Sequence, residues 1–210
     1  MHFQKLPRLL YPVRRVHTVL EVSINFIMGV TDMSYISDNL YPTYYSKNVY
    51  HMNFKRVWNA GYRGIIFDID NTLVGHDAPA DDHAKRLIEI LHGMGFETVI
   101  VSNNEEPRVK SFSDAIGCKY VYKALKPRAY GYNKALEVLH MPKKQVLCIG
   151  DQIYTDIWGA NRAGLDSVLV RKLHEYEPPH IYLKRLLEMP ILWCYVRKIK
   201  LKNESSQVHC

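Results

Sequence analysis

The chain has 210 residues, a formal charge of +7 and a 47% hydrophobic share, which suits one globular domain with terminal extensions. No run reaches the roughly 18 apolar residues that a membrane-spanning helix needs. The four cysteines, Cys118, Cys148, Cys194 and Cys210, form no CxxC, which sets aside a zinc site or a disulfide framework and points to a reducing compartment.

Residues 1–60 hold seven Lys/Arg against three acids. Ser is absent from the first twenty residues, and Val16 to Val30 is broken by His17, Glu21 and Asn25. An amphipathic surface segment fits this better than a presequence. The Tyr-rich stretch 31–61 reads as a lead-in packed on the domain, ending in a short helix, Phe54 to Ala60, capped by Asn53 and stopped by Gly61. From there strands and helices alternate. Tyr62–Phe67 is an apolar strand. Asp82 can cap a helix with Leu87, Ile88, Leu91 and Met94 on one face, closed by Gly95. Thr98–Val101 is a strand, Pro107 to Ile116 a helix and Lys119–Tyr122 a strand. Tyr130 to His140 is a helix, Val146–Ile149 a strand, Tyr154 to Ala163 a helix ending at Gly164, and Ser167–Val170 the last strand. The pattern predicts an α/β fold, a Rossmann-like doubly wound parallel sheet of five core strands. Pro178-Pro179 marks a second boundary. The expected organisation is a lead-in over 1–60, a core over 61–172 and a basic, apolar extension over 173–210.

Function-bearing residues fall just past the strands, where open α/β sheets bind ligands. They are Asp68, Asp70 and Thr72 in FDIDNTL, Ser102 in VSNN, Lys126 in KP, and Asp151 and Asp156 in GDQIYTD. Each alone is an ordinary turn former or helix cap; their joint order is not. The set resembles the haloacid dehalogenase (HAD)-like phosphatases. FDIDNTL, VSNNEEPRVK and GDQIYTDIWGANRAG resemble more closely the YqeG family of small phosphatases, which is similar to the mitochondrial-type phosphatidylglycerophosphate phosphatases.

The resemblance implies a phosphomonoester hydrolase. Asp68 would attack phosphorus and form an aspartyl phosphate. Asp70 would protonate the leaving oxygen and then activate water. Ser102 and Asn103, with help from Asn104, would hold phosphate oxygens. Lys126 would neutralise phosphate charge and hold Asp68. Mg²⁺ would sit on Asp68, Asp151 and the Asp70 backbone carbonyl, with Thr72 and Asp156 in support. The adjacent carboxylates of Asp68 and Asp70 are expected to face one side and push each other's pKa apart. Asn161 and Arg162 suit helix-end structure as well as function. His76 and His83 read as exposed loop histidines.

Twenty-nine residues separate Thr72 from Ser102 and 23 separate Ser102 from Lys126, too few for the cap domain many relatives carry. An open pocket admits a phosphate presented on something large. The two ends carry +8 and the centre −1, which suggests an anionic partner: a membrane surface, nucleic acid or an acidic protein. The basic, aromatic and apolar composition of the ends favours the bilayer, and the resemblance suggests a lipid-borne monoester such as phosphatidylglycerophosphate. No stable nucleic-acid complex is expected. The alternatives are the same chemistry on a phosphoprotein or nucleic acid, or a non-catalytic adaptor on this fold. The expected location is cytoplasmic, peripheral on the inner face of a membrane, or mitochondrial in a eukaryote.

Overall fold

The computed structural model describes residues 39–173 and 186–196. The basic segment 1–38 and most of the basic C-terminal stretch lie outside these residues. Six strands, all parallel, form one sheet in the order β1-β6-β5-β2-β3-β4. They are β1 (Tyr44–Ser46), β2 (Gly64–Phe67), β3 (Glu97–Val101), β4 (Lys119–Val121), β5 (Val146–Gly150) and β6 (Asp166–Val170). The helices are α1 (Phe54–Asn59), α2 (Asp82–Gly93), α3 (Glu106–Ile116), α4 (Ala129–Leu139), α5 (Trp158–Arg162) and α6, at 186–196.

Every residue of β2 and β5 is buried, as interior parallel strands covered on both faces require. Alternate residues of β2 serve opposite layers. Ile65 and Phe67 pack with Ile88, Leu91 and Phe112 of α2 and α3. Ile66 packs with Tyr132, Ala135 and Leu139 of α4 and Ala160 of α5. The sheet is therefore doubly wound, and each interval between β2 and β5 holds one long helix and no cap.

The sequence reading missed β1. Its three residues are Tyr-Tyr-Ser, with no apolar run to mark a strand. Pairing to β6 is secured by reciprocal bonds. The Ser167 N–H donates to Thr43 Oγ1 at 3.0 Å and the Thr43 N–H to Ser167 Oγ at 3.4 Å. Asn161 fastens the same edge: its Nδ2 donates to the carbonyls of Asn39 and Tyr41, both at 2.9 Å, and its Oδ1 accepts from Ser167 Oγ. Its work is structural.

Two boundaries also differ from expectation. The α2 cap is Asp81, whose Oδ1 accepts from the Ala84 N–H at 2.8 Å; Asp82 is the first helical residue. The expected helix over Tyr154 to Ala163 opens instead with a π-helical turn, Ile153–Ile157, before α5. Such widened turns recur at functional sites, and this one carries Asp156. Among the described residues no helix is long and apolar enough to cross a membrane.

Candidate active site

The chain runs outward through β2, β3 and β4 and then returns to place β5 on the other side of β2. The carboxyl ends of β2 and β5 therefore open at the switch point of the sheet. Asp68 follows β2, and its N–H extends the ladder to the Ile149 carbonyl at 3.1 Å. Asp151 follows β5. The carboxylates of Asp68, Asp151 and Asp156 lie within 4.8 Å of one another. Lys126 enters this cluster with a side chain only 5% exposed. Its Nζ donates to Asp68 Oδ1 at 2.5 Å and to Asp156 Oδ1 at 2.7 Å.

Burial pulls the Lys126 ammonium down, but the carboxylates of Asp156 and Asp68 outweigh it and hold the group above the ordinary lysine value. Burial pushes the Asp68 carboxyl well up. Lys126 opposes this, while the charges of Asp156 and Asp151 add to it.

Asp156 reaches Lys126 because the π turn folds it back. Its Oδ2 accepts from the Gln152 N–H at 3.0 Å. Gly150 makes the space: a Cβ there would stand 2.3 Å from the Asp156 Cβ. Tyr132 supports the turn from below, its hydroxyl within 3.1 Å of the Thr155 carbonyl and 3.2 Å of the Asp156 carbonyl. Nothing in the local sequence around Tyr132 announces this role. Thr72, fully buried, donates to Asp151 Oδ1 at 3.3 Å and ties the first motif to the last.

Asp70 goes elsewhere. Its Oδ2 accepts from Asn104 Nδ2 at 2.8 Å, and its Oδ1 from the Asp77 N–H at 2.9 Å and from Arg108 Nη2 at 3.4 Å. The repulsion that Asp68 feels comes from Asp156 and Asp151. Asn71, between strand end and loop, has φ 61°, a conformation that costs a non-glycine residue on the order of 1 kcal/mol. Arg108 was not singled out from the sequence; its motif, VSNNEEPRVK, was the only signal.

Ser102 is buried at the end of β3, and its Oγ accepts from the Asn104 N–H at 3.2 Å. Asn103, expected to hold substrate, lines the cleft and also straps the Lys126 backbone: Oδ1 accepts from the Lys126 N–H at 2.7 Å and Nδ2 donates to its carbonyl at 3.2 Å. It positions the lysine. His76, expected to be exposed, is half-buried and lines the cleft, with Nε2 3.4 Å from Asp77 Oδ2. His83 is exposed, edge-on to Tyr50 at 6.1 Å. Arg162 lies over the Trp158 ring at 5.4 Å. The cleft itself, about 170 Å³, is lined by Asp68, Asp70, Ser102, Asn104 and Lys126 among others. A larger groove of about 660 Å³ runs along the β4 edge past Tyr120, Tyr122 and Tyr130 and includes none of these strand-end residues.

Three clustered carboxylates face one ammonium. That excess of hard, anionic oxygen fits a divalent cation. Asp68 and Asp151 stand where they could hold it. Both oxygens of Asp156 are already engaged, by Lys126 and by the Gln152 N–H.

Residues 124–179 match the HAD-hydrolase-like family. The probable phosphatase YqeG of Bacillus subtilis (strain 168) is 37% identical over 160 residues, covering 75% of this chain and 92% of that protein. Phosphatidylglycerophosphate phosphatase 1, chloroplastic/mitochondrial, of Arabidopsis thaliana is 23% identical over 169 residues, covering 72% of this chain but 47% of the plant protein. Among solved structures, the cobalt-bound deoxy-D-mannose-octulosonate 8-phosphate phosphatase of Haemophilus influenzae aligns with a TM-score of 0.43 at 13% identity, over 63% of this chain and 90% of that one.

Proposed function

The chain belongs to the YqeG family of HAD-like phosphatases, and from that premise we propose that it hydrolyses a lipid-borne phosphomonoester, such as phosphatidylglycerophosphate, on an anionic membrane surface by way of an aspartyl phosphate on Asp68. The observation that carries the chemistry is the Lys126 ammonium bridging Asp68 and Asp156 within a cluster that also holds Asp151. A carboxylate attacks a phosphate monoester only where positive charge offsets the repulsion between anions.

An Asp68 oxygen attacks phosphorus as the ester oxygen leaves. Lys126 fixes the Asp68 carboxylate and offsets phosphate charge, and Ser102 takes a phosphate oxygen. Asp70 gives its proton to the leaving oxygen, then takes one from the water that attacks phosphorus and releases inorganic phosphate. Asp68, Asp151 and the Asp70 carbonyl would hold Mg²⁺, which would supply the remaining positive charge. Asn104 and Arg108 hold the Asp70 side chain at the edge of the cleft, ready to meet a leaving group.

The lipid reading is supported by the capless, open cleft, by the basic ends of the chain, and by the partial likeness to a protein named as a phosphatidylglycerophosphate phosphatase. The test is purified protein with Mg²⁺ against lipid, protein and nucleotide phosphomonoesters. Chelation is expected to stop turnover, Mg²⁺ to restore it, and the lipid to be preferred. Preference for a phosphoprotein or nucleotide would overturn the substrate; undiminished turnover after exhaustive chelation would overturn the metal.

A further inference from the structure

We propose that the outward face of α6 is the surface by which this protein sits on an anionic bilayer; the inference rests on the reading above that the substrate is bilayer-borne. The helix has two faces. Ile191, Cys194 and Tyr195 are buried in a cluster with Tyr41, Ile157 and Leu169. Opposite them, the spacing 186, 189, 193, 196 aligns Leu186, Met189, Trp193 and Val196 in one stripe. These four are 45, 60, 49 and 47% exposed. A contiguous apolar stripe, unlike scattered surface hydrophobics, marks an interaction face.

Charge decides the partner. Lys184 and Arg185 precede the helix, and Arg197, Lys198, Lys200 and Lys202 follow it. The single acid between residues 178 and 203 is Glu188, and that one is turned inward and buried. An apolar stripe with a central Trp, flanked by cations and lacking outward acids, matches an anionic headgroup layer over an apolar interior.

The helix is fastened to the site. The Tyr154 N–H donates to Glu188 Oε1 at 3.2 Å, and the Tyr154 hydroxyl to the Leu187 carbonyl at 3.3 Å. Tyr154 belongs to the π turn that carries Asp156. Met189 and Leu192 also share a cleft of about 240 Å³ with Asp151, Arg171 and Lys172. Met189 of the stripe and Asp151 of the acidic cluster thus border one cleft.

The test uses the full chain and phosphatidylcholine vesicles with or without phosphatidylglycerol, all lacking any phosphomonoester, so that binding is read without catalysis. The wild type is expected to co-sediment with the anionic vesicles, and less as salt rises. Trp emission should shift to the blue and be quenched by brominated acyl chains, a signal lost in Trp193→Phe. Trp193→Asp and Leu186→Asp, with melting curves like the wild type, should each lower vesicle partition by about tenfold or more. Equal binding by these variants, equal binding to neutral vesicles, or a blue shift that tracks protein concentration without lipid would overturn the proposal; the last would assign the stripe to a second copy. Normal docking without hydrolysis of lipid monoesters would leave the docking face standing and remove the lipid substrate.

Discussion

Asp68 and Asp70 stand one residue apart in the chain and in different electrostatic worlds in the fold. Asp68 lies in a buried cluster of three carboxylates locked by one lysine. Asp70 lies in a half-exposed polar cluster with Asn104, Arg108 and the Asp77 backbone. A shared DxD motif therefore does not make a shared environment. Asn104 and Arg108, from the segment after β3, and the Asp77 backbone give the second acid its own setting. For a reaction needing a charged nucleophile and a separate proton carrier, that division is useful: each acid can be tuned alone.

The contrast predicts unequal responses to losing the cation in each cluster. Lys126→Met strips the buried cluster of its only ammonium. Activity should fall by about 10³-fold and the metal-free protein should lose about 3 kcal/mol, read by turnover and by urea denaturation. Arg108→Gln removes a partner that is 24% exposed, 3.4 Å from Asp70. Stability should change by no more than about 1 kcal/mol. Turnover of alkyl phosphates, which need a proton on the leaving oxygen, should drop about tenfold, and that of aryl phosphates much less. Equal damage from the two substitutions would erase the distinction between the clusters.

The smallest effect is also the most pointed. The Asp68 carboxyl is raised in the fold, so the folded protein binds a proton there that the unfolded chain releases. Between the unfolded and folded pKa values stability then falls as pH rises. Without metal, Asp68→Asn should therefore be more stable than the wild type at neutral pH, by about 1 kcal/mol, and the gain should shrink on acidification. Thermal melts from pH 7 to pH 4 in a chelator would show it. A gain that grows toward pH 4 would mean that Lys126 wins over burial and lowers this carboxyl.

Much of this was legible in the sequence because burial writes plainly. β2 and β5 are apolar throughout, so their ends, and hence Asp68 and Asp151, could be placed on the sheet. What stayed hidden depended on partners far along the chain. Asp70 meets Arg108 across 38 positions, and no local pattern reports that. β1 is three polar-aromatic residues whose strand character exists only beside β6. The π turn depends on Gly150 admitting Asp156, a contact that helical periodicity cannot register. The strap from Asn103 to the Lys126 backbone spans 23 positions, and its place beside Ser102 gave no sign of it. The basic and apolar character of 173–210 was readable, but which face of 186–196 packs and which is exposed required the third apolar cluster.

The central claim is that Asp68 attacks phosphorus. It is tested most directly by mixing enzyme, Mg²⁺ and a phosphomonoester labelled with ³²P, quenching in acid within one turnover, and mapping the protein-bound label. The account predicts a hydroxylamine-sensitive label on the peptide containing Asp68. The label should accumulate in Asp70→Asn with an aryl phosphate, where breakdown is slowed, and be absent in Asp68→Asn. Turnover by Asp68→Asn, or label on any other residue, would contradict it.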